Sequence, residues 1–154
     1  MNHILYLRNI NYLRLLFTII GLFITIYLAY VHLSASAELS CGNIGDCTKV
    51  QASIYGFILG IPVSYLGLSL YLCIFALIIF EFYVQDYLYK YFIQLLNASI
   101  VSSALIFSMY LTWVEFFILK EICIWCIGNA FVIFLIFLFN IWTLVSLKRY
   151  RINK

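Results

Sequence analysis

Ile122-Cys-Ile-Trp-Cys-Ile-Gly-Asn-Ala-Phe-Val-Ile-Phe-Leu-Ile-Phe-Leu-Phe-Asn-Ile-Trp-Thr-Leu-Val-Ser-Leu147 is long and apolar enough to cross a ~30 Å hydrocarbon core as one helix. Three more runs match it, from about Leu13 to Leu33, Ile58 to Phe82 and Tyr91 to Leu119. In lipid every backbone N–H and C=O must be paired inside its own segment, so each run is read as a helix. Nothing reads as an amphipathic barrel strand. The chain has 154 residues, 66% of them hydrophobic and only 10% charged, which lies far outside the soluble-globular range. One proline and seven glycines exclude a low-complexity linker protein. The net charge of +3 is too small to point to nucleic acid. The expected fold is an all-α integral membrane protein, a four-transmembrane-helix bundle in which residues 1–154 form a single domain. The first run is read as a span and not as a cleavable signal, although Ser34-Ala35-Ser36-Ala37 mimics a cleavage site.

The polar connections set the orientation. Lys120-Glu121 forms a tight turn between the third and fourth runs, and Gln85, Asp86 and Lys90 lie between the second and third. The side with both termini and the middle connection carries Arg8, Arg14, Lys90, Lys148, Arg149, Arg151 and Lys154, against Lys49 and Lys120 opposite. That asymmetry predicts cytoplasmic termini. The longest polar segment, Ser34 to about Gly56, then faces an oxidising exterior, where disulfide chemistry persists.

Four cysteines fall on that outer side. Cys123-Ile-Trp-Cys126 opens the last helix two residues after Glu121, where free N–H groups and the positive dipole end favour a thiolate. Cys126 is one turn deeper, about 4.5 Å along the axis. This spacing predicts Cys123 at the aqueous rim and Cys126 on the lipid side. Cys41 and Cys47 flank Gly-Asn-Ile-Gly-Asp, a segment suited to a moving shuttle. Thr48-Lys49-Val50-Gln51 reads as a capping box. Val50, Ile54, Phe57 and Ile61 recur at helical spacing and predict a short amphipathic helix in this first outer loop, with Cys47 at its start. Two dithiols on one side suggest an electron relay ending in a lipid-soluble acceptor. The competing reading is a pair of structural disulfides. A zinc site is disfavoured because only one Cys-x-x-Cys knuckle is present, so no metal is expected. Cys73 reads as a small buried hydrophobe. Glu115, an acid well inside a span, is either a site residue or a paired structural one. His32 reads as a rim residue or a general base, and Asn97-Ala98-Ser99 as a false glycosylation acceptor. Trp113, Trp125 and Trp142 lie near predicted span ends, as interfacial anchors do.

These residues resemble the vitamin K epoxide reductase family, and specifically its bacterial disulfide-forming members. The resemblance rests on Cys41-Gly-Asn-Ile-Gly-Asp-Cys47, on Ser53 six residues on, on Gly60-Ile-Pro-Val-Ser-Tyr-Leu-Gly67, and on Tyr110-Leu-Thr-Trp-Val-Glu-Phe-Phe through Cys123-Ile-Trp-Cys126. It implies that Cys41 exchanges with a partner protein, that Cys47 relays to Cys123, and that Cys126 faces a quinone. It also implies that Ser53 sits on the short helix that lids the quinone pocket. In the vertebrate enzymes an Asn and a Tyr hold the vitamin's oxygens, and the aligned positions here are Val63 and Ala130. Asn129 offers a substitute hydrogen bond or else a packing amide. Many bacterial members carry a fused thioredoxin-like domain, which is not found in this sequence.

The reading this supports is a quinone-dependent thiol oxidoreductase. It would oxidise a separate thioredoxin-fold (DsbA-like) partner and reduce ubiquinone or menaquinone, driving disulfide formation in exported proteins. The setting would be the inner (plasma) membrane. The alternatives are a DsbB-like oxidase, whose cysteine pairs come in the opposite order, a reductase of vitamin K quinone or epoxide, and a non-enzymatic membrane protein whose cysteines staple loops.

Overall fold

The computed structural model describes residues 2–34, 41 and 46–152, and their side chains at 9–34, 41 and 46–149. Four long helices dominate: α1 (Asn2–Leu33), α3 (Val63–Tyr83), α4 (Tyr87–Val114) and α5 (Ile124–Ile152). Asn9–Leu33, Val63–Tyr83, Tyr87–Leu119 (α4 with the turn that continues it) and Ile124–Arg149 are long and apolar enough to cross a membrane. α1 packs on α3 and α5, and α4 packs on the same two, so the helices close a ring of four. Isoleucines and valines of α3, α4 and α5 fill its centre, among them Ile74, Ile78, Val101, Val132, Ile133 and Ile136.

α1 and α3 approach closely where side chains are small. Gly21 lies against the ring of Tyr71, and Gly67 lies against Thr25. A Cβ at Gly21 would overlap that ring. In lipid, where apolar surface gains little by leaving its solvent, such small-residue contacts hold helices together by packing.

The lid between α1 and α3 departs from the expected single amphipathic helix. α2 (Cys47–Ala52) is shorter, and a 3-10 turn follows at Ile54–Gly56. Phe57–Ile58 (β1) then pairs antiparallel with Ile61–Pro62 (β2). Leu59 and Gly60 form the turn, both at positive φ (52° and 81°), the backbone that a two-residue hairpin with this twist requires. The apolar repeat through Ile54, Phe57 and Ile61 therefore comes from a turn and a hairpin. The second span starts at Val63 and not at Ile58. The cap of α2 also differs: Asp46, not Thr48, accepts from the Lys49 N–H at 3.0 Å. The expected shuttle segment at 42–45 and most of the Ser34–Ala37 tract lie outside the described residues.

Away from the lid, the helix ends enclose a polar layer. Arg14 on α1 donates to Glu81 on α3 at 3.0 Å, to Asn11 at 2.9 Å and to Asn140 on α5 at 3.1 Å. Gln94 on α4 donates to Asn140 as well. All four helices contribute, and every member of the layer is buried. Asn97 of the discounted glycosylation motif is buried nearby in α4. Cys73, expected inside, is exposed on the outer side of α3.

Candidate functional site

Under the lid, Cys41, Cys47 and Val50 pack with Leu28 and Val31 of α1 and with Cys123 in one buried cluster, with Cys126 against its edge. Cys41 and Cys47 are joined in a disulfide, with their Cα atoms 6.0 Å apart. Cys123 and Cys126 are free thiols. The two expected cysteine pairs thus meet, although their nearest members, Cys47 and Cys123, are 76 positions apart in sequence.

Cys123 is fully buried, which corrects its expected place at the aqueous rim. α5 begins one residue later, so Cys123 stands at the N-cap, where its sulfur accepts from the Cys126 N–H at 3.3 Å. The Cys126 thiol lies 2.6 Å from the same sulfur and donates to it. These contacts, first the thiol and then the backbone N–H, hold the Cys123 thiol below its ordinary pKa against the opposing effect of burial. Both contacts favour the thiolate of Cys123 over its thiol.

A third group joins them from α4. After Val114 the helix widens into a π turn, Glu115–Leu119, and Lys120 reverses the chain with a left-handed φ of 53°. π turns often mark functional sites because they re-aim side chains. Here the turn starts at Glu115, whose carboxylate accepts from the Cys123 N–H at 3.3 Å and also contacts the Cys126 thiol. The donor atoms of Glu115, Cys123 and Cys126 all lie within 4.8 Å of one another. Their geometry would admit a metal ion, but an ion bound to both thiolates would block disulfide chemistry.

Cys126 and Glu115 open onto a cavity of about 220 Å³ that runs from beneath the lid into the bundle. It is far larger than the space a water needs, and mostly apolar, as pockets for organic molecules are. Ser53, Val63 and Asn129 line it, whereas Ala130 does not. Ser53 caps the C-terminal end of α2, and its hydroxyl is already donated to the Val50 carbonyl at 2.7 Å. Its hydrogen is thus engaged, and its oxygen keeps lone pairs with which to accept from a ligand. Asn129 accepts from the Tyr71 hydroxyl at 2.9 Å, which leaves its amide N–H₂ for the cavity. His32 is also in the wall, edge-on to Phe57 and Tyr65. Ser64 also lines the cavity, and its buried hydroxyl has no partner among the described residues. Sequence reasoning passed over Ser64 and Tyr71. The one usable signal was that Ser64 adjoins Val63, already aligned with a ligand-holding position.

The sequence profile of the vitamin K epoxide reductase family matches residues 12–141. The chain belongs to that family. A search of curated proteins found no match. Members of the family are quinone-linked thiol oxidoreductases, and this chain is an oxidoreductase of that general kind, set in a membrane as a multi-pass helical bundle. The cavity suits a quinone ring: its walls are apolar, and the orphaned buried Ser64 hydroxyl needs a hydrogen-bond acceptor, which a quinone carbonyl provides.

Proposed function

We propose that the protein makes disulfides for export, taking two electrons from a separate thioredoxin-fold partner and giving them to ubiquinone or menaquinone. Cys41 exchanges with the partner's dithiol. Cys47, once reduced, attacks Cys123 of a Cys123–Cys126 disulfide, and Cys126 is released as the thiolate facing the quinone. Reclosure of Cys41–Cys47 frees Cys123. Closure of Cys123–Cys126 then sends two electrons and two protons to the acceptor. In this reading both termini are cytoplasmic and the cysteines face the exterior of the plasma membrane, which the Lys and Arg asymmetry supports.

The observation that carries this reading is the common burial of Cys47 and Cys123 in one cluster, with Cys126 on the cavity side. A disulfide needs Cα atoms within about 7 Å, and packing in one cluster makes that approach a small movement. In Cys41→Ala/Cys126→Ala, Cys47 has lost its loop partner and Cys123 its resolving thiol. A Cys47–Cys123 bond should therefore accumulate, seen by mass spectrometry as a linked peptide pair. Free thiols persisting at both positions under oxidising conditions would favour two independent staples and sink the relay.

A further inference from the structure

Among the described residues Glu115 has no cationic partner. No Lys or Arg lines its cavity, and it makes no ion pair among the described residues. The structural alternative, an acid buried because it is paired, is thereby removed. A buried carboxylate beside a thiolate cannot also be ionised without a large cost. Glu115 is also placed to exchange protons with the pair: its carboxyl accepts from the Cys123 N–H at 3.3 Å, and its oxygen and both sulfurs lie within 4.8 Å of one another.

We infer that Glu115 is the second proton store of the site, holding a proton beside the thiol of Cys126 and passing it into the cavity when the cysteines oxidise. This rests on the proposed quinone reduction. In the reduced state Cys123 is a thiolate, Cys126 a thiol and Glu115 a neutral acid. Forming the Cys123–Cys126 bond releases two electrons. The Cys126 proton and the Glu115 proton follow them, so a quinone becomes a quinol and Glu115 is left as a carboxylate. The site carries one negative charge before and after, and no charge has to cross the apolar wall. The other titratable groups around the cavity are His32 on α1, Tyr55 in the lid and Tyr71 on α3, and among the described residues only Cys123 and Glu115 act on the Cys126 thiol.

The test counts protons with no quinone present. The oxidised full-length protein in detergent is reduced by a small dithiol at pH 7 in the presence of a pH indicator. Wild type should release almost no proton, because the thiol protons of the reductant are taken up by Cys126 and Glu115. Glu115→Gln still accepts from the Cys123 N–H but cannot take a proton, so about one proton per site should appear in solution. Glu115→Asp should restore the wild-type count. Quinol formation by Glu115→Gln should fall by about 10²-fold, the scale of a lost general acid. Equal proton counts in wild type and Glu115→Gln, or unimpaired quinol formation, would overturn the inference. Quinone reduction surviving in Cys126→Ala would instead remove the relay reading beneath it.

Discussion

Tyr71 reaches Asn129 because residue 21 is glycine. With no Cβ there, the Tyr71 ring edge fits against α1 at Gly21 and its hydroxyl reaches Asn129 on α5. Gly21→Ala should force ring or helix apart, costing about 1–3 kcal/mol as overpacking does, measurable as a lower unfolding midpoint in detergent. Tyr71→Phe removes only the hydroxyl. The Asn129 amide is then free to turn, and one hydrogen bond of about 1 kcal/mol is lost. The expected result is a rise of about fivefold in KM for quinone, with the dithiol chemistry of Cys41 and Cys47 untouched. An unchanged KM would mean that Asn129 takes no part in holding the acceptor.

At the scale of elements, the lid is tied at its edge by charge. Lys49 bridges Glu121 at 3.3 Å and Asp46 at 3.5 Å, joining α2 to the turn before α5. The Lys49 N–H holds Asp46 below its ordinary pKa, and Glu121 first, then Asp46, raises that of Lys49. A lowered carboxylate stabilises the fold above its unfolded value and loses that contribution as pH falls through the folded one. A raised amine stabilises it below its unfolded value and loses that as pH rises through the folded one. The tie therefore holds across neutral pH, and is lost only below the ordinary aspartate range and above the ordinary lysine range. Limited proteolysis at Lys49 should increase at both extremes, and Asp46→Ala should show the increase already at pH 7. The polar layer at the opposite end of the bundle is a different case, because its charges are buried. Arg14→Met strands the Glu81 carboxylate and should cost about 3–5 kcal/mol, whereas Arg14→Met/Glu81→Met should recover most of that loss in thermal unfolding.

Across the whole molecule, the antiparallel ring puts the lid, the cysteines and the cavity at one end of the bundle and the Arg14–Glu81 layer at the other. An exported electron relay works only if the cysteine end faces outward. A cysteine placed near Asp86, between α3 and α4, should escape a label that cannot cross the membrane, while one placed near Ser53 is labelled. Labelling near Asp86 from outside would put the dithiols in a reducing cytosol, where a disulfide-forming role is untenable.

What could be read from the sequence alone were the properties that belong to contiguous segments. Hydrocarbon forces any long apolar run to satisfy its own backbone, so four helices follow from composition and length without knowledge of their neighbours. Cys123 and Cys126 are likewise placed by helical pitch one turn apart. The lid misled because residues 54–61 have apolar spacing that suits a helix, while Leu59-Gly60 forms a turn that ends one. The tertiary structure decided what joins distant segments. The Arg14–Glu81 pair spans 67 positions and the Tyr71–Asn129 bond 58, and neither has a local signature. Glu115 was noticed as an acid inside a span, but only the π turn that swings it onto Cys123 and Cys126 distinguishes a site carboxyl from a paired structural one. Burial made that difference: with no ion pair among the described residues, the same carboxyl that would be a solvated charge on a surface becomes a place to keep a proton.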